Sequence, residues 1–334
     1  MSASAFGIAD WKRLARRLAR IARPLLAILA IVFVVYAARD LAARWESSEV
    51  QVDWLLLACS IAPLALSALV LAIGWKWLVE RMVGKSLPRT ATIALNLESQ
   101  VARYMPGKVG LVLVRMAGAA RIGAPASTVG SSAVIETLSY VAVGGACGFI
   151  ALAAFASSLF GALAQLGRWG LLVFALFAVA TLVVLSLDRR RIPEAILGAL
   201  GLHGTGALAP LRLPLSHGVY WMLTMLHGYL VTRAVGGSHE AALASSGFYV
   251  LAPVVGFLAI VVPGGLGVRE AFLSIGLAPS IGPAAALSAA LVSRTASVLL
   301  DVAGWLLARA LSRDSASKSL AGAHEQTPAD RPPI

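Results

Sequence analysis

The sequence predicts an all-α integral membrane protein, and three observations carry that expectation. Of its 334 residues, 59% are hydrophobic and only 13% are charged, about half the charge of an ordinary soluble domain. Apolar runs of about 20 residues, the length a helix needs to cross a bilayer, recur along the whole chain. The basic residues gather where such runs end. Lys12, Arg13, Arg16, Arg17, Arg20 and Arg23 precede the first run, and Arg189, Arg190 and Arg191 follow a later one. That is the positive-inside distribution. The net charge of +12 therefore belongs to cytoplasmic loops facing lipid headgroups, not to a nucleic-acid footprint.

Taken in order, residues 1–23 form a basic amphipathic segment with Trp11, Leu14, Leu18 and Ile21 on one helical stripe, suited to the cytoplasmic membrane surface. No small-residue cleavage site follows, so the first span, about Pro24–Ala42, is expected to be retained. The acidic loop RWESSEVQVD leads to a second span, about Trp54–Val79, which ends on the basic ERMVGKSLPR. Further spans are expected at Ala126–Phe155, Trp169–Leu187, Leu215–Val235 and Pro283–Leu311, with a disordered tail over 312–334 rich in Ser, Ala, Pro and charge. Tryptophans such as Trp54, Trp75, Trp77 and Trp305 fall near span ends, where interfacial anchors sit.

Two segments do not read as ordinary spans. Residues 91–122 contain Glu98, Arg103, Lys108 and Arg115 around a central Pro-Gly, and residues 241–281 are apolar but broken at Pro263. Matching the basic loops to one side of the membrane requires both segments to return to the side they left. The predicted membrane domain, 24–311, thus has six full spans and two re-entrant hairpins of opposite orientation, with both termini cytoplasmic in an inner membrane. The breaks share a pattern. PGKVG contributes Pro106, Gly107 and Gly110; PGGLG contributes Pro263, Gly264, Gly265 and Gly267. Each is followed by an arginine, Arg115 or Arg269, and then by a long helix with one charge at a matching place, Glu136 or Arg294. Such an inverted repeat of broken helices is the design of many secondary transporters.

Charges inside spans are costly, roughly 2.5–3.5 kcal/mol each on insertion scales, so they must face one another or water. Arg103, Lys108, Arg115, Arg269 and Arg294 form the basic side of this set; Glu98, Glu136, Glu270 and Asp301 form the acidic side. Arginine offers a planar donor fork for phosphate, and glycine lets a ligand approach the backbone. The set would suit a lipid headgroup. Equally, Arg269–Glu270 reads as a structural pair tucking in a loop. His227 and Tyr229 read as packing or hydrogen-bonding residues. Cys59 and Cys147 lie in apolar runs and frame neither a metal site nor a disulfide. No metalloprotease, nucleophile-elbow or phosphate-loop motif occurs, so no cofactor, metal or catalytic residue is expected. The acidic loop with Glu46, Glu49 and Asp53 keeps a lipid-linked glycosyl- or aminoacyl-transferase open as an alternative, beside an accessory subunit of an envelope-lipid pathway. Self-association of the chain is left open.

At RYMPGKVG, Glu136 and VPGGLGVRE, the chain resembles the membrane region of lysylphosphatidylglycerol synthase, a region that also occurs alone in flippase-like membrane proteins. The resemblance covers about residues 20–311. It implies movement or binding of a lipid rather than its synthesis, since the soluble synthase domain has no counterpart after Leu311. Thr137 departs from the family, which often carries arginine at that position.

Overall fold

A computed structural model describes residues 52–104, 109–155, 212–259 and 263–325, with side chains as far as residue 312. The expected segment 1–23, the spans at 24–42 and 169–187, the last residues of the tail, and Pro106, Gly107 and Lys108 lie outside the described residues. Among those described there are eight α-helices and no strand.

The helices fall into two successive sets of four. The first is α1 (Trp54–Val83), α2 (Arg89–Gln100), α3 (Gly110–Gly118) and α4 (Ala126–Phe155). The second is α5 (Arg212–Ala234), α6 (His239–Leu258), α7 (Val268–Ile281) and α8 (Pro283–Glu325). In each set a long helix is followed by a broken pair and then by another long helix. Short 3-10 turns at Val101–Tyr104, Ala119–Ile122 and Pro263–Gly265 mark the irregular stretches. The helical backbone of α8 continues to Glu325, past Ser312, where the sequence places the start of the tail.

Local chemistry sets the helix ends. Asp53 caps α1, its Oδ1 accepting from the N–H groups of Leu55 and Leu56 at 2.9 and 3.0 Å. Gly84 closes the same helix in the left-handed region, φ 76°, its N–H donating to Glu80 O at 2.9 Å. Ser238 caps α6 by accepting from Ala241 N–H at 3.1 Å. The carboxylate of Glu270 reaches back to the N–H of Gly267 at 2.6 Å and so caps α7.

Four described helices are long and apolar enough to cross a membrane: α1, α4, α6 and the Pro283–Ser312 portion of α8. At 12 and 9 residues, α2 and α3 extend only about 18 and 14 Å at 1.5 Å per residue, short of a hydrocarbon core of about 30 Å. Two assignments differ from the sequence reading. The helix expected as the span Leu215–Val235, α5, is not among the four, because it carries Ser216, His217, Thr224, His227 and Thr232. All five are buried against other helices. Conversely α6, read as one arm of a hairpin, has the length and composition of a span.

The ends of the broken pairs define their orientation. The N–H of Asp53 donates to Ala234 O at 2.8 Å, so the start of α1 lies beside the end of α5. A Cβ placed on Gly237 would stand 3.0 Å from Ile281 Cγ2, so α7 ends where α6 begins, at that same end. A Cβ on Gly123 would stand 3.8 Å from Lys85 Nζ. The first broken pair therefore begins and ends at the opposite end of α1, about 45 Å away by helix length. Each pair returns to the end it left, and the two enter from opposite ends.

Packing between the sets is reciprocal. The long helix after one broken pair lies against the first arm of the other. α4 runs along α6, where a Cβ on Gly247 would meet Gly148 O at 2.7 Å. α8 runs along α2, where Ala308 packs with Ala94 and Leu97. Small residues permit such close approach, as in other membrane bundles. Two apolar clusters anchor the halves. Trp75, Val79, Leu95 and Ile122 fill one; Phe248, Tyr249, Leu273, Leu277 and Ala286 fill the other. His227 stitches across sets: its Nδ1 lies 2.9 Å from Ser60 O and its Nε2 3.0 Å from Ser293 Oγ.

The second break depends on glycine, with Gly264, Gly265 and Gly267 all at positive φ. Gly265 has φ 67°, and a Cβ there would lie 2.6 Å from Gly256 O, a backbone atom that cannot rotate away. Gly265→Ala should destabilise the protein by at least about 2 kcal/mol, from overpacking and left-handed strain. Gly218→Ala, with open space around it, should be neutral or slightly stabilising. Thermal unfolding in detergent measures both. Single cysteines replacing the exposed Arg89 and Glu240 should react with membrane-impermeant thiol reagents from opposite sides of sealed vesicles; labelling from one side would remove the inverted arrangement.

Candidate functional site

The two breaks meet. The 3-10 turn carrying Tyr104 touches the turn carrying Gly264, where φ is 59° and a Cβ would lie 2.6 Å from Tyr104 Cδ1. A side chain on that glycine would displace the ring, so the sequence needs glycine for both conformation and space. Around this contact lies a cavity of about 230 Å³, with Arg103, Arg115, Glu136, Gly264, Arg269 and Arg294 in its wall.

Arg115 stands in the last turn of α3 and is completely buried. Its Nη1 pairs with the carboxylate of Glu136 on α4. Its Nε donates to Ser99 Oγ at 2.9 Å, and the guanidinium lies 4.3 Å from the centroid of Trp75. A desolvated cation over an indole face is worth about 2 kcal/mol. Trp75 is itself held by a hydrogen bond from Nε1 to Ser132 Oγ at 3.1 Å. It is fully buried, and so supports a charge rather than anchoring an interface as the sequence position implies. The Nη2 of Arg115 has no hydrogen-bond partner among the described residues, which leaves one strong donor on a residue that lines the cavity.

Arg103 donates to Gln100 through both Nε and Nη2, and its Nη2 stands 3.4 Å from Asp301 Oδ1. The other oxygen of Asp301 accepts from Tyr104 Oη at 2.7 Å. Asp301 of α8 therefore holds two residues of the first break. Arg294, also on α8, donates to Gly264 O at 3.1 Å, stands 3.4 Å from Glu270 Oε1, and places its guanidinium 5.3 Å from the centre of the Tyr104 ring. Arg269 donates to Ser297 Oγ at 3.3 Å, and Ser297 in turn donates to Ser293 O at 2.8 Å.

Arg103, Arg115, Arg269, Arg294 and Glu136 thus converge on one cavity, with Gly264 beside them. Asp301 and Glu270 lie behind the wall as partners of its arginines. Glu270 pairs with Arg294 rather than with Arg269. Glu98 is not brought to the cavity: it forms an ion pair of 2.7 Å with the more exposed Arg121. Gly110 opens α3, and Pro263, Gly265 and Gly267 shape the second break. Lys108, Pro106 and Gly107 lie outside the described residues.

The wall also contains residues that the sequence reading did not assign to the site. Gln100, Thr137, Tyr140 and Tyr220 line the cavity. The Tyr140 and Tyr220 hydroxyls lie 3.3 Å apart, and their rings are 5.3 Å apart between centroids. Trp221 fixes this corner by donating to Tyr140 O at 3.1 Å. Beside them His217, fully buried, sits 2.8 Å from Ser139 Oγ. Val134 and Leu138 of α4 line the cavity and are also 39% and 42% exposed. The cavity is therefore bounded on that side by an apolar wall that reaches the outer surface of the bundle.

Residues 20–304 match the family described as the lysylphosphatidylglycerol synthase TM region. The chain belongs to that family. No individual curated protein matches it. The match spans every described helix except the end of α8, so both broken pairs and the cavity between them lie within the synthase-type membrane region. Membership in this family supports a membrane function connected with lipids. Among the described residues no group of three or more His, Cys, Asp or Glu residues could hold a metal ion.

Glu136→Gln removes the carboxylate facing a fully buried guanidinium. It should cost about 3–5 kcal/mol, the usual penalty for stripping one partner from a buried pair. The double variant Arg115→Met/Glu136→Gln should recover much of that loss, because no unpaired charge then remains. Thermal melting of the purified single and double variants provides the comparison.

Proposed function

We propose that the protein is a lipid flippase or transporter of the cytoplasmic membrane, both termini facing the cytoplasm, that binds a phosphate-containing lipid headgroup in the cavity between its two breaks. One observation carries the reading: the cavity that gathers four arginines is walled on one side by apolar residues exposed on the outside of the bundle. A lipid presents that combination of needs. Its headgroup requires charged and hydrogen-bonding partners, and its acyl chains must stay in hydrocarbon. Arg103, Arg115, Arg269 and Arg294 supply guanidinium donors suited to phosphate. Asp301 and Glu270 hold two of these arginines in place, and Glu136 neutralises a third. The opposed entry of the two broken pairs supports alternating access, in which one half rocks against the other around a fixed site.

A transferase acting through the acidic loop has less support. The carboxylate of Asp53 is engaged as the cap of α1, leaving it poorly placed to activate a nucleophile. The proposal is a transporter without cofactor, metal or nucleic-acid partner.

Purified protein in liposomes should accelerate the transbilayer movement of a fluorescent phospholipid, read by reduction of the outer-leaflet probe with dithionite. Arg269→Ala should lower that rate about tenfold or more, equivalent to about 1.4 kcal/mol. Transport at the wild-type rate by this variant would remove the cavity from the pathway. Turnover of a labelled lipid donor that is lost on Asp53→Asn would replace the transporter with an enzyme.

A further inference from the structure

Among the described residues the charges around the cavity do not cancel. Its described wall carries Arg103, Arg115, Arg269 and Arg294. Three of these stand against carboxylates: Arg103 against Asp301, Arg115 against Glu136 and Arg294 against Glu270. Arg269 is the fourth. Its guanidinium donates to Ser297 Oγ, an uncharged acceptor, and among the described residues no carboxylate lies within ion-pair distance of it. Glu270 acts on Arg269 only from beyond that distance, and a guanidinium without a contacting counter-ion in a low-dielectric wall is costly until an anion joins it.

We infer that the cavity selects headgroups with a net charge of −1, phosphodiesters whose remaining groups are uncharged, and that Arg269 is the residue that sets this selectivity. The inference rests on the headgroup reading above and narrows it. A phosphodiester has one negative charge shared by two non-bridging oxygens, which matches the fork of one arginine. A phosphomonoester carries about −1.5 to −2 at neutral pH, so part of its charge would find no counterpart. A zwitterionic headgroup has no net charge, so it would leave the surplus positive charge of the described wall unanswered, while Asp301, Glu136 and Glu270 each already stand against an arginine. Arg115 contributes differently. Its charge is answered by Glu136, but its buried Nη2 lacks a partner among the described residues, so it offers a directional donor without adding net charge. The paired hydroxyls of Tyr140 and Tyr220 both donate and accept, as the hydroxyls of a polyol or sugar require. Two kinds of lipid share this chemistry: a glycerophospholipid with a polyol headgroup, and a polyprenyl-phospho-sugar.

The full chain, purified in maltoside detergent, is titrated with four soluble probes: dihexanoyl phosphatidylglycerol, geranyl-phospho-glucose, dihexanoyl phosphatidic acid and dihexanoyl phosphatidylcholine. Affinity is read by microscale thermophoresis at pH 8. At least one of the first two should bind about tenfold or more tighter than the last two, and the tighter of them names the lipid class. Arg269→Gln should erase this preference. Asp301→Asn leaves Arg269 in place but removes one carboxylate, and should move the preference toward phosphatidic acid. If Arg269→Gln does not purify, the Asp301→Asn arm decides alone. Phosphatidic acid or phosphatidylcholine binding within about twofold of the best monoanion in the wild type, a retained preference in Arg269→Gln, or no shift in Asp301→Asn overturns the charge rule while leaving a headgroup site standing. No binding by any probe overturns the headgroup site itself.

Discussion

One guanidinium touches both interruptions of the membrane domain. Arg294 donates to the carbonyl of Gly264 in the second break, lies over the ring of Tyr104 in the first, and is held by Glu270. In hydrocarbon, a broken helix must have its freed backbone groups satisfied by protein. Arg294 performs that service for Gly264 and at the same time fixes where the first break may lie. Its neighbour on α8, Asp301, repeats the arrangement from the anionic side, accepting from Tyr104 and facing Arg103. The cavity exists because these two α8 residues hold apart, yet close together, two stretches of chain that could not stand alone.

Around that clasp the charges are arranged in layers. Arg115 is packed between an indole ring and a carboxylate, out of reach of bulk solvent. Arg103 is half exposed beside its partner. Arg269 leans on a serine whose hydroxyl is already committed to a main-chain carbonyl. Burial thus removes the freedom of some arginines and leaves that of another. The family to which the chain belongs gives a lipid context to this gradient, and the exposed apolar residues of α4 give the gradient a side on which to open.

Much of this was legible in the sequence, for identifiable reasons. Proline and glycine leave a clear mark in an apolar run, so both breaks could be placed. A charge in such a run is rare enough that Arg103, Arg115, Glu136, Arg269 and Arg294 stood out. Their pairings were not legible. Arg269 and Glu270 are adjacent, but successive residues of a helix point about 100° apart, and Glu270 reaches Arg294 on the next helix instead. Glu98 carries the same charge as Glu136, yet it falls on a part of α2 near Arg121 rather than near the cavity. Trp75, Tyr140 and Tyr220 were invisible as site residues because aromatic side chains are common in membrane helices and only tertiary packing decides which support a charge. In α5 the polar residues did not stop the sequence from being read as a span; they lower its hydropathy, yet all are buried against neighbouring helices, a shielding that a linear hydropathy count cannot register.

The crossed packing of the two halves has a consequence for how the protein is made. The face of α2 that carries Ala94 and Leu97 is covered by Ala308, past the middle of α8. During synthesis that face emerges long before its cover exists. The first broken pair therefore emerges with Arg103 still lacking Asp301, and stays so until α8 has left the ribosome. Each half can gather its own apolar cluster, but the first break is closed only when α8 reaches it, so insertion ends with a joint closure of the two halves.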